Sequence, residues 1–185
     1  MSKSKNTITG PTLLTILRML LVIPFMICCM IDGIAPKILA LTFFSVAALT
    51  DLIDGKWARK QHLVTDMGAF LDPLADKMLV DLAFLVLVYI HVVPIWMFAV
   101  IIVRDLAVDG MRMMAARDGV TISASIYGKT KTMVQMITLI SILANAIIGN
   151  ESLGTINNIL LYVVIILTVF SGLDYIIKGW KKVIK

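Results

Sequence analysis

The sequence predicts an all-α, polytopic membrane protein of six transmembrane helices with both termini in the cytoplasm. Three observations carry this. Of 185 residues, 59% are apolar and only 16% charged, with a mean hydropathy of +0.95, where soluble domains hold about 45–50% and about 25%. Polar punctuation cuts the chain into six apolar segments, and a bilayer core asks for roughly 20 residues per helical span. Lys and Arg gather in alternate links, which by the positive-inside rule places those links and both ends on the cytoplasmic side. The length leaves no room for a separate soluble domain, so residues 1–185 read as one transmembrane domain.

The first span is expected at about 12–30, behind Lys3, Lys5 and a Thr9-Gly10-Pro11 lead-in. Pro11 suits a first helical turn, where its missing N–H has no partner to lose. The run continues at transmembrane length without an A-x-A-like site, so no cleavable signal is expected. Cys28 and Cys29 are adjacent, a poor geometry for a bridge, and read as two small buried apolar residues. Asp32-Gly33 and Pro36 lead to the second span, about 37–59, and Lys60-Gln61-His62 to the third, about 67–90. Pro73 removes a backbone donor there, so a kink or local unwinding is expected. His91 to Pro94 turns into the fourth span, about 95–117. A polar stretch from Asp118 to Lys131 precedes the fifth, about 132–148, and Gly149 to Gly154 turns into the sixth, about 156–179. Trp57, Trp96 and Trp180 lie near span ends, as interfacial residues do. The net charge of +5 belongs to the cytoplasmic links and tail, and no basic–aromatic tract suited to nucleic acid is present.

The chemistry concentrates in the second and third spans. Asp51, Asp54, Gly55 and Ala58 recur at i, i+3, i+4, i+7, and Gly68, Asp72 and Asp76 at i, i+4, i+8, so each set occupies one helix face. An Asp at a helix centre costs about 2.5–3.5 kcal/mol on insertion scales, and four of them ask for a bound divalent cation. Carboxylates with open positions suit Mg²⁺ or Mn²⁺, hard ions that share their sites with substrate phosphates. Two such ions can clamp the attacking and leaving oxygens of a phosphoryl displacement. Gly55 and Ala58 let a ligand approach closely, and Arg59 supplies a forked donor for a phosphate. Residues alone thus point to metal-assisted phosphoryl chemistry at a membrane surface. Structural ion pairing with Lys56, Arg59 or Lys77 would explain one or two of the carboxylates but not the full spacing.

The complete pattern D-x2-D-G-x2-A-R-x8-G-x3-D-x3-D, filled by Asp51, Asp54, Gly55, Ala58, Arg59, Gly68, Asp72 and Asp76, resembles the signature of the CDP-alcohol phosphotransferases. The resemblance implies that an alcohol hydroxyl attacks the β-phosphorus of a CDP-linked substrate and CMP leaves. It implies metal ligation by Asp51, Asp54, Asp72 and Asp76, with Asp76 also the general base. It places CDP against Asp51, Gly55, Ala58, Arg59, Thr65, Asp66 and Gly68, and implies a homodimer.

Flanking sequence is most similar to the bacterial branch that makes phosphatidylglycerophosphate. Pro11-Thr12-Leu-Leu-Thr15-Ile-Leu-Arg18 is similar to its P-N-x-x-T-x-x-R, with Thr12 in place of Asn. Arg104-Asp105 stands where that branch generally has Arg-Glu, and Gly128-Lys129-Thr-Lys131-Thr-Met-Val-Gln135 matches its G-K-x-K-T-x-x-Q. The implied donor is CDP-diacylglycerol, drawn from the membrane lipid, and the implied acceptor is sn-glycerol 3-phosphate. The implied location is the bacterial cell membrane, with the site open to the cytoplasm. Arg104, Arg112, Lys129 and Lys131 are candidates for the acceptor phosphate. Arg104 and Arg112, eight residues apart, share nearly one helix face, while Lys129 reads equally well as a positive-inside anchor. Thr15 and Arg18 are possible substrate contacts, and Arg18 reads equally as a snorkelling helix-end residue. Asp81 lies off the Asp72 face and reads as a secondary polar contact. Other acceptors (phosphatidylglycerol, an inositol phosphate, serine) remain open, as more remotely does a divalent-cation transporter.

Overall fold

A computed structural model describes the backbone of residues 10–61, 66–117 and 125–183, and the side chains of 13–50, 75, 77–115, 117 and 125–177. Among these residues the protein is all-helical: α1 (Gly10–Met30), α2 (Ile34–Gln61), α3 (Asp66–Tyr89), α4 (Ile95–Arg117), α5 (Ile126–Ile148) and α6 (Glu151–Val183). Three helices are long and apolar enough to cross a bilayer, over Leu13–Met30, Ile126–Ile148 and Glu151–Ile177, and Ile34–Thr50 is a shorter apolar stretch. The chain is a membrane protein.

The contacts divide into two compact units, residues 1–90 with 143–148, and 91–142 with 149–185. In the first, α1 packs on α2 and α3. Its buried stripe, Thr15, Arg18, Val22 and Phe25, follows the helical repeat. Phe25 meets Phe44 of α2 with ring centroids 5.6 Å apart, and Leu79, Ala83, Phe84 and Leu87 complete the core from α3. Leu13, Leu17, Leu20 and Ile23 on the outer side of α1 stay exposed, as lipid-facing residues would.

In the second unit α4 packs on α6. Ile101, Asp105 and Val108 form the buried stripe of α4, while Asn157, Leu161, Val164, Thr168, Ser171, Gly172 and Tyr175 form that of α6. Polar groups tie α5 to α6, because the Asn157 amide lies against the Ser141 hydroxyl and carbonyl. Such bonds matter between apolar helices, where hydrophobic burial contributes little to association in lipid.

Where the six helices differ from the expected apolar segments, the differences lie mostly at their ends. α5 starts at Ile126 instead of 132, because Ser125 caps it: its hydroxyl accepts the Gly128 N–H at 3.1 Å. α6 starts at Glu151 instead of 156, with the Asn150 carboxamide oxygen accepting the Leu153 N–H at 3.1 Å. Only Gly149 and Asn150 then link the two, and Gly149 takes φ +69°, a left-handed turn natural to glycine. His91 takes φ +60° just after α3, a turn that few non-glycine residues adopt. The expected local unwinding at Pro73 does not occur, since α3 is helical throughout. Cys28 and Cys29 are free, as expected, but half-buried in the last turn of α1 beside exposed Met30.

Candidate active site

The carboxylate signature falls on the neighbouring ends of two consecutive helices of one unit. Asp51, Asp54, Gly55, Ala58 and Arg59 lie in the second half of α2, and Asp66, Gly68, Asp72 and Asp76 in the first half of α3. Both segments have helical backbone, so the one-face spacings are realised on actual helices. Thr65 and His62 lie outside the described residues, as do the side chains of 51–74 and of Asp76. The donor set fits a hard divalent cation by chemistry, all carboxylate oxygen with no thiolate or imidazole. Among the described residues no group of three His, Cys, Asp or Glu side chains is placed to hold a metal.

The second unit brings together part of the predicted basic pocket. Lys131 of α5 donates from Nζ to both carboxylate oxygens of Asp105 on α4, each at 2.7 Å. Arg104 donates from Nη1 to Asp105 Oδ1 at 2.8 Å. The ion-paired side chains are nearly enclosed, 3% exposed for Lys131 and 10% for Asp105. Charges so far from water persist only when paired. Arg104 and Lys131 thus meet on the carboxylate of Asp105.

The position of Arg104 depends on Gly172, while at Gly128 the approach is ordinary contact. A Cβ on Gly172 of α6 would stand 3.0 Å from Arg104 Cγ, and one on Gly128 of α5 would stand 3.6 Å from Arg104 Nη2. Gly172 thus lets α6 close on the root of the arginine stem, and the guanidinium reaches the first turn of α5. The stem borders an apolar groove of about 390 Å³ between α4 and α6, in which Arg104 is the charged lining residue among Ala99, Val103, Ala107 and Leu173.

Arg112 also faces α6, as the eight-residue spacing predicted. Its Nε donates to the Tyr175 hydroxyl at 2.7 Å, and its guanidinium carbon lies 5.1 Å from the ring centroid. Arg112 is exposed and Tyr175 buried, so the tyrosine aims an accessible cation. Lys129 is exposed and stays apart from the Asp105 cluster, as an anchor would. Thr15 and Arg18 are 0% and 1% exposed on one face of α1, and both are engaged in polar interactions. Snorkelling is therefore the wrong description of Arg18: it is enclosed by packing instead of reaching to water. Asp81 is half-buried and partnered, consistent with a secondary polar contact.

Two residues stand out that sequence reasoning did not assign. Asp105 entered only as a departure from a motif, yet it organises Arg104 and Lys131. An acidic residue directly after Arg104 was the available signal. Gln135, one turn after Lys131, is 1% exposed, and its Nε2 has no hydrogen-bond partner. An unsatisfied buried donor costs about 1–3 kcal/mol, and Arg104 Nε shares that state.

Comparison with known proteins supplies the remaining evidence. The family model described as CDP-alcohol phosphatidyltransferase matches residues 8–170. The chain is 41% identical over 138 residues to the CDP-diacylglycerol–glycerol-3-phosphate 3-phosphatidyltransferase of Bacillus subtilis (strain 168), covering 75% of this chain and 72% of that one. It is 33% identical over 174 residues to a probable phosphatidylglycerophosphate synthase of Mycobacterium tuberculosis (strain ATCC 25618 / H37Rv), covering 92% and 81%. To the CDP-diacylglycerol–glycerol-3-phosphate 3-phosphatidyltransferase of Rickettsia bellii (strain RML369-C) it is 34% identical over 174 residues, covering 93% and 95%.

Proposed function

The chain belongs to the CDP-alcohol phosphatidyltransferase family, and from that we propose that it transfers a phosphatidyl group from CDP-diacylglycerol to sn-glycerol 3-phosphate. The products are phosphatidylglycerophosphate and CMP. The observation that carries this is the 41% identity to a relative named for that reaction, joined to a signature filled at every fixed position. The family match runs from residue 8 to 170, across both compact units, which supports reading the chain as one catalytic domain.

In this reading Asp51, Asp54, Asp72 and Asp76 would hold two divalent cations, Mg²⁺ or Mn²⁺, which when bound supply neutralising charge to the diphosphate and to departing CMP. The other roles belong to the chain itself. Gly55 and Ala58 leave room for the nucleotide, and Arg59 directs a guanidinium fork at a phosphate. Asp51, Thr65, Asp66 and Gly68 complete the CDP pocket. Asp76 takes the proton of the C1 hydroxyl as its oxygen bonds to the β-phosphorus, and the bond from that phosphorus to the CMP oxygen breaks. Arg104 and Lys131, with Arg112 further along α4, hold the acceptor phosphate, and Lys129 steers anions from outside. Thr15 and Arg18 would brace the site from α1. The two cations gathered at Asp105, Arg104 and Lys131, favour a phosphorylated acceptor over serine, which brings no net charge.

Topology follows from charge distribution: six spans, both termini and the site at the cytoplasmic face of a bacterial membrane, with the protein working as a homodimer. The test is direct. Purified protein with CDP-diacylglycerol, glycerol 3-phosphate and either metal is expected to release CMP, with serine and inositol phosphate as competing acceptors. Failure to release CMP with both metals, or preference for another acceptor, would overturn the proposal.

A further inference from the structure

The chemistry above makes no use of Gln135. It lies on the buried stripe of α5 with Lys131, Thr138 and Leu139, four residues beyond Lys131, which is about 6 Å along the helix axis. Its carboxamide nitrogen finds no acceptor. The neighbouring Thr138 hydroxyl is already committed to the Val134 carbonyl at 2.7 Å. On α4 the buried positions on either side of Asp105 are Ile101 and Val108, whose side chains accept nothing. A buried amide without a partner inside an apolar helical unit calls for an explanation, and a polar ligand reaching past Lys131 provides one.

We infer that Gln135 donates a hydrogen bond to the C2 hydroxyl of the acceptor and so selects a phosphorylated polyol over a simple alkanol phosphate. This rests on the acceptor reading above. With the phosphate held by Arg104 and Lys131, a three-carbon backbone extends about one helical turn, the separation of Lys131 from Gln135 along the axis. The C1 hydroxyl has to face the donor phosphorus and lose its proton to a base. A carboxamide is no base at neutral pH. The non-reacting hydroxyl is the group left for it, and Gln135 is a specificity-determining residue, outside the bond-making step.

The experiment compares sn-glycerol 3-phosphate with 3-hydroxypropyl phosphate, which lacks the C2 hydroxyl, in the full-length protein and in the variants Gln135→Leu and Gln135→Met. CMP release gives kcat/KM for each acceptor. The native protein is expected to favour glycerol 3-phosphate by about 10- to 100-fold, the range of one well-made buried hydrogen bond. Both variants are expected to lose most of that preference by losing rate on glycerol 3-phosphate alone. An unchanged rate on the deoxy acceptor doubles as proof of folding. An unchanged preference, an equal loss on both acceptors by both variants, or no preference in the native protein overturns the inference. A native protein that releases CMP with neither phosphate fails one step earlier, at the acceptor reading.

Discussion

Replacing Asp105 by Asn removes the negative charge that Lys131 and Arg104 share while keeping the size of the side chain. The environment sets the magnitude. Lys131 is 3% exposed and sits 2.7 Å from both carboxylate oxygens, and truncating one partner of such a buried pair costs about 3–5 kcal/mol. Asn retains one oxygen for Lys131, which puts the expectation near the lower end, at roughly 3 kcal/mol. For a chain of this length that corresponds to a fall of roughly 6–12 °C in Tm. Thermal unfolding of the purified protein in detergent, followed by circular dichroism, reads it. Two companions separate charge from packing. Lys131→Met in the Asp105→Asn background removes the cation that faced the lost carboxylate and is expected to recover part of the loss, since removing a buried pair whole is often near neutral. Added glycerol 3-phosphate is expected to raise the Tm of Asp105→Asn more than that of the native protein, because an arriving anion replaces the missing one. A Tm within a degree or two of native, or single-variant losses that simply add, would refute the reasoning.

Gly172→Ala places a methyl 3.0 Å from Arg104 Cγ, and KM for the acceptor is expected to rise several-fold with kcat little changed; in an Arg104→Ala background, which lacks that carbon, steady-state kinetics should register no further effect. Tyr175→Phe keeps the ring beside Arg112 but deletes the hydroxyl that accepts its Nε; since Arg112 is exposed, a rise in acceptor KM of only about two- to fivefold is expected from the same assay. Asp76→Asn should lower kcat by about 10²–10⁴-fold if it is the base, with the circular dichroism spectrum unchanged, and excess EDTA should stop the native enzyme until Mg²⁺ or Mn²⁺ is restored.

Apolar periodicity and charge placement were enough to locate the six helices of the described residues, although only three of them are long and apolar enough to cross a bilayer. The starts of α5 and α6 were not legible in the same way. Tyr127 to Lys131 and Glu151 to Thr155 are polar enough to read as links, and it is the capping bonds of Ser125 and Asn150 that bring them into helix. The site divides similarly. Arg104, Arg112 and Lys131 were visible as cations at one-face or motif spacing. The partnership of Lys131 with Asp105 spans 26 positions, and that of Arg112 with Tyr175 spans 63; neither has a local pattern to betray it. Burial of Arg18 likewise depends on α2 and α3 covering α1, which no window along the chain reports.

If Arg104 and Lys131 hold the acceptor phosphate as proposed, Asp105 also bears on how that pocket empties. Arg104 and Lys131 alone, enclosed and cationic, would hold a phosphate-bearing product tightly, because its departure would leave two bare charges away from water. A resident carboxylate on the neighbouring helix changes that end of the cycle. It is the counterion to which both cations return, so the vacated pocket is never without an anion. In the proposed reading, what weakens the grip on the incoming phosphate would also let the outgoing one leave, so that affinity would be set for turnover instead of for retention.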